Sequence, residues 1–203
     1  MARVAGMASR LVRGTAIGCG VAAVAGAGFG FAVGEPVQPE DIVPARSMPA
    51  DLCARVGDVS SLLPKASSGA AKVTMVQGGS TSITCEAGSS RSKVSAYTAA
   101  AVKVTITPYG GRDAGAGNAP FTPEQMAMTV LSRSPMDAVP DRPYPTKASR
   151  SASGISGEAW TVRTLVQRAD IVVQVDYTAN PIDADTAQKA ALVLADRAIW
   201  ETR

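Results

Sequence analysis

The chain contains no histidine in 203 residues. That absence removes serine–histidine and cysteine–histidine nucleophile systems, histidine general bases and every histidine-containing metal site, and with them most familiar hydrolase designs. Aromatic residues make up only 4% of the sequence, so the core claims the few there are before any ligand pocket does. A basic field is missing as well, despite a formal charge of +3. Arg3, Arg10 and Arg13 are the only charges in the first 34 residues, and without them 17 basic side chains face 17 acids. The remainder therefore carries no electrostatic footprint for nucleic acid.

What is present begins with an apolar run. Gly14 to Gly34 are 21 uncharged residues built mostly of Ala, Gly and Val. As a helix they would reach roughly 31 Å at about 1.5 Å per residue, against a hydrocarbon core of about 30 Å. Arginines before the run and Glu35, Glu40 and Asp41 after it predict a cytoplasmic N-terminus and an exported remainder. Seven glycines dilute its hydrophobicity, and Ala32-Val33-Gly34 has the small-x-small form that a signal peptidase accepts. Residues 1–34 thus read as a signal peptide or a membrane anchor, and both readings stay open. Ala16-Ile17-Gly18-Cys19 only partly matches a lipobox, because the apolar run continues well past the cysteine. The glycines spaced by four (Gly14/Gly18, Gly26/Gly30/Gly34) match a helix-pairing pattern, in a segment rich enough in glycine to produce it by chance.

Residues 35–49, with Pro36, Pro39, Pro44 and Pro49, read as an extended linker ahead of one domain at 50–203. Leu52, Val56, Val59 and Leu63 share one helical face, interrupted by Gly57. Lys72 to Val76 and Thr81 to Cys85 are β-prone, with Gly78-Gly79 between them. A strand from about Val94 to Thr107 ends with Val102, Val104 and Ile106 on one face and Lys103 and Thr105 on the other, as in an antiparallel sheet covered on one side. After a glycine-rich loop, Thr122, Pro123 and Gln125 form a capping box, and Phe121 is placed to staple onto Met126. The inward face of that helix is Met126 or Ala127, Val130 and Leu131. Trp160, Val162, Thr164 and Val166 alternate along one strand and Ile171, Val173, Val175 and Tyr177 along the next, predicting a hairpin turning near Arg168-Ala169. A terminal helix from Asp183 to about Trp200 presents Ala187, Ala191, Leu194 and Ala198 on one face. The fold class is α+β, a single domain with an antiparallel sheet of about five strands packed with helices, preceded by a hydrophobic leader or anchor helix.

Candidate chemistry is sparse. Cys53 and Cys85 are an even pair, which in an oxidising compartment implies a structural disulfide; the alternative is two thiols that no histidine activates. Ser90-Arg91-Ser92-Lys93 fits the S-x-x-K spacing of serine enzymes that use lysine as base, but lacks the partner motifs that define such a site. Gly110 to Gly117 resembles a phosphate loop only in glycine content. Asp183-Ala184-Asp185 offers two carboxylates, too few for calcium, where a helix start favours acids. No metal and no cofactor are expected. Trp160, Val173, Tyr177 and Leu194 form the candidate apolar pocket.

The Asp51-Leu52-Cys53 segment, the second cysteine about thirty residues on, the hairpin Thr161 to Tyr177 with Ile171-Val172-Val173-Gln174-Val175, and the Ala-rich helix ending Ala198-Ile199-Trp200 together resemble the DUF3558 family of actinobacterial envelope proteins. They are similar in outline to mycobacterial kinase sensor domains and PsbP-like lipoproteins. The resemblance covers Ala50 to Arg203 and implies an antiparallel sheet with helices, a binding or sensing role, and no catalytic residues. The expected function is a non-catalytic extracytoplasmic binding or sensing domain, secreted or tethered to the membrane. Its partners would be the cell membrane, through the N-terminal segment, and an envelope ligand or protein, without nucleic acid. The alternatives are a carrier of hydrophobic envelope molecules and, less favoured, a serine/lysine hydrolase.

Overall fold

Alternating strands need cover on one face, and that requirement sets the architecture. The computed structural model describes residues 38–49, 51–56, 67–68, 72–75, 81–89, 99–153 and 159–202. The chain divides into two compact units, Met1–Val37 and Gln38–Arg203, of which the first lies outside the described residues. In the second, a 3-10 turn at Pro39–Asp41 leads to α1 (Leu52–Val56), β1 (Ser67–Ser68), β2 (Lys72–Met75), β3 (Thr81–Ser89) and β4 (Ala99–Pro108). There follow α2 (Pro123–Arg133), β5 (Asp137–Ala138), β6 (Thr146–Ser153), β7 (Ala159–Arg168), β8 (Ile171–Asn180) and α3 (Ala184–Glu201).

The strands form one antiparallel, eight-stranded sheet in the order β1-β3-β4-β8-β7-β6-β5, with β2 also pairing β3. Along the outer edge of β3, β2 covers Thr81 to Thr84 and β1 covers Ala87 and Gly88, so the two act as one interrupted strand. The α+β class stands, while the expectation of about five strands is corrected to eight. Two of the additions are two-residue strands, and β6 reads Thr-Lys-Ala-Ser-Arg-Ser-Ala-Ser, without apolar alternation. Near the sheet edge it needs backbone pairing with β7 more than an apolar face, and it pairs along its whole length.

Cross-strand register assembles the core in rows. Ile83, Ile106, Val173 and Val166 stand side by side, then Cys85, Val104, Val175 and Thr164, then Ala87, Val102, Tyr177 and Val162. Helix α3 covers these rows with Ala187, Ala191, Leu194, Ala195, Ala198 and Ile199, all buried. Alanines on that face let the helix axis lie close to the sheet. Ion pairs link α3 with the β5–β6 side of the sheet: Arg150 Nη1 lies 2.8 Å from Asp185 Oδ1, and Arg142 pairs with Asp196. Near its C-terminus the carbonyl of Ile199 accepts from Arg168 Nη1 at 3.3 Å.

Helix α2 covers part of the other face, where Ala127 and Leu131 pack with Leu165 and Val172. Its capping box forms as the sequence indicates, Gln125 N donating to Thr122 Oγ1 and Thr122 N to Gln125 Oε1. Phe121, the expected staple, is about half exposed. At the other end Lys147 Nζ donates to the carbonyls of Ser132 and Ser134. The hairpin turns at Ala169-Asp170, with Ala169 in the left-handed region at φ +49°.

Residues 38–49 differ from a free linker. Gly111 N donates to the Val43 carbonyl at 2.6 Å, Arg46 Nε donates to Asp170 Oδ2 at 3.0 Å, and Met48 packs against the core. The folded unit therefore starts at Gln38, twelve residues ahead of the expected boundary. The expected helical positions Val59 and Leu63, the Gly78-Gly79 turn and the start of the strand at Val94 lie outside the described residues.

Thr164 is fully buried, and its hydroxyl has no hydrogen-bond partner. Thr164→Val keeps the shape and removes the desolvated group, so it is expected to raise stability by about 1 kcal/mol. Denaturant unfolding of the variant reads this as a higher midpoint at unchanged slope.

Candidate functional site

The two cysteines of the folded unit are joined. Cys53 on α1 and Cys85 on β3 form a disulfide with Cα atoms 5.4 Å apart. Leu52 and Val56 bury the inner face of this short helix against the main core, so Cys53 is presented toward the row that Cys85 occupies. Closing a loop of 32 residues in sequence separation is worth roughly 3 to 4 kcal/mol on the chain-entropy account.

The candidate apolar pocket residues are brought together as core. Val173, Tyr177 and Leu194 are buried in the cluster under α3, and Trp160 is half-buried against it. Two hollows lie elsewhere. One, of about 530 Å³, is open and lined by Phe121, Thr122, Glu124, Gln125, Met128 and Thr129. The other, of about 190 Å³, lies between the β5–β6 segment and Gln188.

The polar motifs of the sequence are mostly engaged in local structure. In the glycine-rich loop, Gly111 N donates to Val43 O, Arg112 N to Phe121 O, Gly115 N to Asp113 Oδ1 and Asn118 N to Gly115 O. Amides turned inward in this way are not aimed at a phosphate. Asp183 caps α3, accepting from Thr186 N at 2.9 Å, and Asp185 is held by Arg150. The hydrogen bond from Thr186 holds the Asp183 carboxyl below its ordinary range. Burial beside the α2 cluster pushes the Tyr109 hydroxyl up. Among the described residues no group of three or more Cys, Asp or Glu is placed to hold a metal, and no helix is long and apolar enough to cross a membrane. Ser90, Lys93 and the apolar run 14–34 lie outside the described residues.

What remains is the face of the sheet turned away from α3. Beyond the patch covered by α2, the register lines up Glu86, Lys103, Asp176 and Arg163 across β3, β4, β8 and β7. Their charges alternate. Lys103 Nζ is 3.6 Å from Glu86 Oε1, and Arg163 Nε donates to Asp176 Oδ1 at 2.5 Å. Asp176 also accepts from Gln174 Nε2 at 2.7 Å. Paired threonines flank the row, Thr84 with Thr105 at 3.3 Å and Thr161 with Thr178 at 3.0 Å. Exposed pairs of this kind contribute roughly 0.2 to 1 kcal/mol each, too little for the row to be a stability device. A charge pattern of this sort discriminates among partners more than it adds affinity. The alternation of Lys103 and Thr105 against Val102 and Val104 marks this face in the sequence; the alignment of four charges in one row depends on register, which sequence does not reveal.

Searches of protein-family models, curated proteins and solved structures find no match to this chain.

The lowered Asp183 carboxyl has a sign that can be tested. A group depressed in the folded state adds stability above its unfolded value and loses it as pH falls through the folded one. Asp183→Asn, which keeps a capping oxygen without the charge, is expected to be less stable than the parent at neutral pH. Thermal melts across pH 7 to 2 should show the gap closing toward the acid end.

Proposed function

We propose that this chain is a non-catalytic extracytoplasmic binding or sensing domain, secreted or tethered to the cell membrane through residues 1–34, in the manner of the actinobacterial envelope proteins it resembles. The open face bearing Glu86, Lys103, Asp176 and Arg163 is the docking surface for an envelope ligand or protein. The observation that carries this reading is the Cys53–Cys85 bond, a type of cross-link that persists mainly in oxidising compartments. It is supported by a sequence without histidine, and by acids that serve as helix caps and ion-pair partners. A sheet with one face covered and an open charged row beyond α2 on the other is a rigid platform for recognition.

Mass spectrometry of the protein isolated from its native envelope tests the reading. The expected mass is two hydrogens below that of the reduced chain, with either loss of the leader or its full retention. A soluble cytosolic chain in which Cys53 and Cys85 both react with a thiol reagent would overturn it.

A further inference from the structure

The docked segment 38–49 ties the start of the folded unit to its glycine-rich loop and hairpin tip. Val43 is fixed through the Gly111 amide, and Arg46 is fixed by Asp170 at the hairpin tip. A side chain at Gly110 would approach Ala45 N to 2.8 Å, and one at Gly111 would meet both the Phe121 carbonyl and Val43 N. Glycine at these two positions is what lets the segment lie this close. Only residues 35–37 then separate Gly34 from Gln38, and four Cα steps span at most roughly 14 Å.

Apolar side chains stand in solvent around this docking point. Val43 is 55% exposed, Phe121 47% and Met128 45%. The Arg112–Phe121 bridge fixes Phe121 next to Gly111 and hence next to Val43, and Phe121 and Met128 line the same open hollow. Elsewhere on the described surface the exposed large apolar side chains are Val193 and Trp200, both on α3. Grouped apolar residues at the end where a tether enters are what an interfacial lipid contact requires.

We infer that the end of the domain bearing Val43, Phe121 and Met128 rests on the outer surface of the lipid bilayer and inserts these side chains into its interfacial region. The inference depends on the reading of residues 1–34 as a retained anchor. The contact is driven by apolar burial instead of basic charge, because the exposed charges flanking these side chains in sequence include four acids, Glu40, Asp41, Asp113 and Glu124, beside Arg112 and an Arg46 already paired with Asp170. It does not require anionic lipid. The bilayer would hold the domain in one orientation, fixing which way the charged sheet face points.

The test uses the full chain carrying Phe121→Trp, reconstituted in phosphatidylcholine vesicles with and without phospholipid brominated near the headgroup. Met128→Trp is a second reporter, and Lys103→Trp on the open sheet face is the control. For a ring held within the shallow interfacial layer, the emission added at 121 and at 128 should fall roughly twofold with brominated lipid, while that at 103 stays unchanged. Vesicle flotation of the same samples reports anchoring. A chain that floats with its vesicles but shows no quenching at 121 or 128 overturns this inference and leaves the anchor standing. A chain that does not float overturns both. Unquenched emission that shifts to the blue as protein density rises would assign the patch to a second copy of the chain, which also overturns the lipid contact.

Discussion

The fold depends on one seam, the alanine-rich face of α3 laid across β4, β8 and β7. Ile106, Val173, Val175 and Val162 are removed from water on one side of the seam, and Ala187, Ala191, Ala195 and Ala198 on the other. Small side chains on the helix let large ones on the strands fill the space, so density is reached with almost no aromatic residues. Arg150 and Arg142 pair with its two halves from the β5–β6 side, and α1 is bound to the same core by the disulfide. Once the seam is formed, the opposite face of every central strand is committed to α2 or to water.

That division explains which parts of the molecule were legible in the sequence. The β7–β8 hairpin, the capping box of α2 and the cap of α3 all rest on interactions between near neighbours in the chain, and each appears where the residues indicate it. Strand β6 does not, because Lys147 to Ser153 owe their conformation to the β7 backbone and carry no apolar period of their own. The docked path of residues 38–49 was hidden for a similar reason. Its three prolines mark an extended chain, whereas docking comes from Asp170 and Gly111, more than 60 residues away. Val173, Tyr177 and Leu194 belong to the buried core with Trp160 packed against it, and alternation cannot distinguish side chains that line a cavity from side chains that fill one.

The two faces of the sheet also divide the work of the protein. The covered face is stabilising and leaves little room for chemistry: across its three core rows the strand positions are apolar except for Thr164, Tyr177 and the disulfide at Cys85. The open face carries the alternating charges and threonine pairs, held in place by the strands beneath. Rigid side chains on a pleated surface lose less entropy on contact with a partner than loop residues do. The glycine loop and the hairpin tip, which in many domains form the binding surface, here hold the entering chain instead. The charged row on the open face and the docked chain at the hairpin end are the features on which the proposed binding role rests.

The most direct test of the seam is thermal unfolding of Ala191→Leu, at a buried position where α3 lies on the sheet. Added volume there must push the helix away or force side chains out of their rotamers, at a cost of about 1 to 3 kcal/mol. For a folded unit of this size that corresponds to a fall in Tm of roughly 2 to 4 °C per kcal/mol. An unchanged or higher midpoint would contradict close packing of α3 on β4, β8 and β7, and with it the account of how this chain separates a packed face from an open one.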